Sequence, residues 1–70
     1  MDFKLRPDDD YIKLGQLLKA VGFADTGAES KQMILDGEVM QNGEVVLQRG
    51  KKLHEGDEIV FKGQVIRIIR

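Results

Sequence analysis

The densest chemistry in the sequence is the run Gln48-Arg49-Gly50-Lys51-Lys52. Its cations attract anions, and the glycine among them lets backbone amides approach an anion closely. An arginine offers a planar fork that can grip two phosphate oxygens, whereas each lysine is a compact point charge. Further lysines stand at Lys13, Lys19 and Lys31. Lys31 is the most telling of these, because, unlike Glu29 and Asp36, it has no obvious reason to be there apart from a partner. The chemistry on offer is phosphate capture, set against the plainer reading of a solvated loop and ordinary surface lysines.

Parts for catalysis are few. The one histidine, His54, sits in a turn beside Glu55, with no serine near it in sequence. Ser30 falls on the inner side of a helix, so no nucleophile–base pair is in view. Glycine-rich phosphate loops and metal-ligand spacings are absent. Asp8-Asp9-Asp10 is a solvated acidic run, since adjacent side chains on an extended chain diverge and no calcium-loop spacing follows. The absence of cysteine excludes disulfides, zinc fingers and thiol catalysis together. A chain of 70 residues also buries only about 60% of its unfolded surface, which leaves little interior for a dry pocket. The expectation is one domain over residues 1–70, not an enzyme, with no cofactor, metal or small-molecule substrate.

Net charge is −1 and the isoelectric point about 5.7, below that of a general nucleic-acid binder. What matters is where the 11 basic residues sit. The opening MDFKLRPDDD has no apolar run, so a cytoplasmic protein without a membrane segment is expected. Nothing in the pattern asks for an obligate dimer, and a monomer is expected.

These side chains need elements to hold them. Phe3 and Leu5 alternate with polar residues, as in a short half-buried strand ended by Pro7. Leu14, Leu17, Leu18 and Val21 recur at helical spacing, which predicts a helix over 13–21, with Lys13, Gln16 and Lys19 beside its apolar stripe. Gly15 weakens that helix by roughly 1 kcal/mol relative to alanine. Asp25 or Thr26 caps a second helix over 28–35, with Ser30, Met33 and Ile34 inward and Gly37 as its stop. Asn42-Gly43 turns a hairpin from Glu38 to Val46. Lys62-Gly63 turns another between 58–61 and 64–69, where Glu58 faces Arg67. Ile59, Phe61, Ile66 and Ile68 supply much of the core. Packing is the better reading for all four aromatic residues, Phe3, Tyr11, Phe23 and Phe61. Only Tyr11 is a fair candidate for stacking on a base, so base stacking has little support in the sequence.

The order LxxLLKxxG, TGAxSK, IxxGEVxxNG and RGKKLxxGDEI resembles the S-four RNA-binding domain, or alpha-L motif, over about residues 12 to 61. It is most similar to the small stand-alone bacterial members, which share a glycine after Thr26 and a basic segment between the hairpins. The resemblance implies an α+β fold, two short helices packed on a small, mostly antiparallel sheet of two hairpins. It also implies binding of structured RNA, ribosomal or transfer, or association with the ribosome, through phosphates and shape. Lys13, Lys19, Lys31, Arg49, Lys51 and Lys52 are then the expected RNA-binding residues. The sequence departs from the broader family at Lys13 for arginine, Gly15 for aspartate, Thr26-Gly27 for Ser-Arg, and Gln41 for an apolar residue. The alternative is a protein-interaction module docking on a ribosome-associated or other acidic partner. DNA binding by the helix pair is disfavoured, because Glu29 and Asp36 on the second helix would repel phosphate.

Overall fold

In the computed structural model, which describes residues 1–70, the apolar stripe of the first helix is the centre of the packing. Helix α1 (Leu14–Ala20) buries Leu14, Leu17 and Leu18 completely. Helix α2 (Gly27–Leu35) turns Ser30 and Ile34 inward, with Met33 partly covered. Between the helices the chain reverses through Gly22, whose φ of +83° is a left-handed conformation that glycine adopts at little cost. Thr26 is the cap of α2, and its hydroxyl oxygen accepts from the Glu29 N–H at 3.1 Å.

The helices pack on a five-stranded sheet ordered β1 (Asp2–Lys4), β7 (Gln64–Ile69), β6 (Glu58–Phe61), β3 (Val39–Gln41), β4 (Glu44–Val45). Both expected hairpins form. Each turns through a pair of left-handed residues, Asn42-Gly43 and Lys62-Gly63, whose twist matches that of the flanking strands. The first strand takes the outer edge of the second hairpin and runs parallel to β7, with Phe3 opposite Ile68. Val39, Ile59, Phe61, Ile66 and Ile68 face the helices. Partners across antiparallel strands share a face. Val45, Met40, Val60 and Val65 therefore form an apolar row on the outward side.

A second, two-stranded ladder pairs β2 (Ile12–Lys13) with β5 (Lys52–Leu53). It puts Ile12 opposite Leu53 on the core side and Lys13 opposite Lys52 on the other. Where the sequence pattern starts the first helix at Lys13, that residue is instead its extended N-cap, because its backbone is engaged in this ladder.

Asp57 ties the hairpins together. Its carboxylate accepts from the His54 N–H at 2.7 Å, the Asn42 amide at 3.1 Å and the Gln41 amide at 3.2 Å. Burial alone would raise its pKa, but these donors outweigh it and hold the carboxyl below its ordinary value of 3.8. Gln41, polar where an apolar residue would bury more, is thus fixed by a hydrogen bond. Glu58 and Arg67 face each other as expected and form an ion pair.

Candidate nucleic-acid interface

The basic run lies against the first turn of α1, held there by its own backbone. Leu14 donates its N–H to the Lys51 carbonyl at 2.9 Å, and Gly15 donates to the Arg49 carbonyl at 2.9 Å. These are two of the N–H groups that a helix start leaves without intrahelical partners, so the loop satisfies them. Gly15 permits the approach. A β-carbon there would stand in ordinary contact, 3.4 Å from the Arg49 carbonyl oxygen and 3.5 Å from its β-carbon, so any longer side chain starts against the basic run. On its other side the Gly15 carbonyl accepts from the buried Ser30 hydroxyl at 3.2 Å, which joins α1 to α2.

The result is a shallow hollow of about 280 Å³ where Lys13 of β2, Lys19 of α1, Arg49 and Gly50 of the loop, and Gly27 at the head of α2 converge. Lys52 stands opposite Lys13 in the ladder, so two like charges share one side of a two-residue pairing. Such a pairing costs stability until an anion lies between or over the charges. Lys51 is exposed beside it. Lys31 does not line the hollow; it sits one helical turn beyond Gly27 on the same side of α2, exposed to solvent.

Charge pairing elsewhere separates these cations from the rest. The ion pairs of the molecule join Lys62 to Glu38, Arg67 to Glu58, and Arg70 to Asp10 and Glu55. Hydrogen bonding and attraction to Glu58 raise the Arg67 pKa further. None of Lys13, Lys19, Lys31, Arg49, Lys51 or Lys52 takes part in these pairs. The carboxylates are not all remote from this face. Asp8, Asp9 and Asp10 line an adjoining hollow that reaches Lys13 and Gln16, so the cationic face has an acidic border on that side. The reason is the ladder, which draws the segment after Asp10 to the edge of the basic run.

On the same border Tyr11 is 38% exposed. The Lys52 ammonium lies 4.9 Å from its ring centroid, and the His54 ring is 6.1 Å away, tilted by 51°. Phe23 and Phe61 instead pack together at 5.4 Å. Sequence reasoning named the cations but not which of them share the hollow or what positions them. The one available signal was Gly15, a residue that costs a helical pattern about 1 kcal/mol relative to alanine.

The model of the S4 domain matches residues 3–69, nearly the whole chain. The chain belongs to the S4 domain family. A similar protein is the "Probable ribosome maturation protein RlbA" of Bacillus subtilis, 36% identical over 56 residues, which are 80% of this chain and 79% of that one. Another is the "Putative RNA-binding protein YbcJ" of Escherichia coli, 29% identical over 59 residues, or 84% of each chain. The solution structure of YbcJ, described as revealing an alfaL motif involved in RNA-binding, superposes with a TM-score of 0.73 at 28% identity, covering 99% of this chain and 86% of that one. The α+β alpha-L architecture read from the sequence is the architecture found. No helix of this S4 domain is long and apolar enough to cross a membrane.

Proposed function

We propose that this S4 domain binds structured RNA, ribosomal or transfer, by laying phosphates along the face made by Lys13, Lys19, Arg49, Lys51 and Lys52, with Lys31 extending it. The observation that carries the reading is the convergence of Lys13, Lys19 and Arg49 on one hollow without a carboxylate partner. Unpaired cations held in a fixed array repel one another, and phosphates relieve that repulsion while releasing counterions from the RNA. Positions fixed by backbone hydrogen bonds suit recognition of the shape of an RNA stem, whose deep major groove side chains cannot read. The names of the relatives, a putative RNA-binding protein and a probable ribosome maturation protein, agree with this reading.

Filter binding with several structured RNAs tests it. Replacing Arg49, Lys51 and Lys52 together by alanine should weaken binding to all of them by a similar factor, because phosphate contacts carry no sequence information. A triple variant that binds as tightly as the parent at low salt overturns the assignment. The competing reading, in which the same face docks an acidic protein surface, has the net charge of −1 in its favour. Recovery of partners from nuclease-treated extracts separates the two. Loss of partners after nuclease supports RNA, and retention supports protein.

A further inference from the structure

The acidic border and the exposed ring beside it limit where an RNA stem can lie. Along the cationic face a phosphate backbone meets Lys13 and Lys52, and next to them stands the Tyr11 ring with Lys52 over it and His54 at its side. Beyond Tyr11 the chain turns back through Asp8, Asp9 and Asp10. Arg6 lines the same hollow, but of the three carboxylates only Asp10 is in an ion pair, with Arg70 at 3.3 Å, and its side chain is still 90% exposed. A backbone that continued in that direction would carry its next phosphates over carboxylates. The last group that can be accommodated there is a base, which is uncharged and has a face to stack.

We infer that Tyr11, flanked by His54, is a stacking site for a single unpaired nucleotide at the end of an RNA stem. The inference rests on the phosphate reading above and adds to it the kind of RNA end that the face selects. Tyr11 is an aromatic ring left partly open to solvent at the edge of a phosphate-binding surface, the placement used by proteins that stack unstacked bases. Lys52 makes the two events one. Its ammonium now rests over the ring, and when it moves to the phosphate of the incoming nucleotide it uncovers the ring for the base. Lys13, opposite it, takes the preceding phosphate of the stem. The ligand class is therefore a stem bearing a one-nucleotide overhang, and a longer overhang adds nothing because its further phosphates face Asp8 and Asp9.

The test uses the intact chain and RNA hairpins identical except at their ends: blunt, or carrying one unpaired adenosine at the 3′ or 5′ side. Fluorescence anisotropy at low salt gives the affinity of each. The expected result is that one overhang binds about fivefold or more tighter than the blunt stem, in line with the contribution of one stacked base. In Tyr11→Ala the ratio of the two affinities falls to about one, and in Tyr11→Phe, which keeps the ring, it stays. A second readout does not depend on the variants. Replacing the overhanging adenosine by 2-aminopurine should give an emission that is quenched on binding. Equal affinities for all stems in the parent, with no quenching, overturn the stacking site while leaving phosphate binding standing. Failure of every stem to bind at low salt overturns both.

Discussion

Gly15 and Arg49 meet backbone to backbone, the glycine N–H donating to the arginine carbonyl at 2.9 Å, 34 positions apart in the chain. This contact turns a mobile-looking basic run into a wall of the hollow. A β-carbon at position 15 would already touch the Arg49 carbonyl at 3.4 Å, an ordinary contact, so a large side chain there is set directly against the basic run. Gly15→Leu is therefore expected to detach residues 49–51, speed hydrogen exchange at the amides of positions 14 and 15, and weaken RNA binding. Unchanged exchange at those two amides would contradict it.

Lys13 and Lys52 are opposed in the β2–β5 ladder, and a like-charge pair there costs about 0.2–1 kcal/mol. Lys13→Glu replaces repulsion with attraction across the ladder. It should raise Tm by about 1–8 °C for a chain of this size while weakening RNA binding. Stability and binding moving in opposite directions is the signature of a pair kept for a ligand. A variant that loses both would instead mark Lys13 as structural.

Arg67 and Arg49 are both exposed arginines, but Arg67 is already paired with Glu58. Arg67→Ala should leave RNA affinity within about twofold, whereas Arg49→Ala should weaken it, each lost phosphate contact also reducing the salt slope by about 1. Equal losses from the two would mean that binding follows net charge rather than a face. Lys31→Glu should weaken binding with Tm nearly unchanged, because its side chain makes no ion pair or hydrogen bond.

Asp57 accepts hydrogen bonds from three donors, and its folded-state pKa lies below 3.8. A lowered carboxyl pKa stabilises the fold above the unfolded value and loses that contribution as pH falls through the folded one. Asp57→Ala should cost about 1.5–3 kcal/mol near neutral pH, the worth of hydrogen bonding to a charged group. Urea unfolding of parent and variant from neutral to acidic pH should show the gap narrowing below about pH 4. A gap that stays constant across that range would exclude the charge as its origin.

Local signals in the sequence were enough for the helices and hairpins. Leu14, Leu17 and Leu18 mark one helix face, Gly37 ends the second helix, and Asn42-Gly43 and Lys62-Gly63 turn the hairpins, each determined by residues a few positions apart. The β2–β5 ladder was not legible. Its strands are two residues long, too short for any period, and the pairing of Ile12 with Leu53 depends on how both pack on the core. For the same reason the choice of sheet edge for β1 and the return of Asp8 to Asp10 beside Lys13 became clear only in three dimensions. The basic residues were legible as a set, but not which of them share a hollow, and Lys31 lies outside it.

The central claim is that fixed, unpaired cations bind RNA through its phosphates. The measurement that addresses it most directly is the affinity for a structured RNA across a series of salt concentrations. With about five phosphates engaged, log affinity against log salt should fall with a slope of about −4.5, and the Arg49, Lys51 and Lys52 triple variant should show a slope shallower by about three. A slope near zero for the parent, or the same slope for both proteins, would contradict the account.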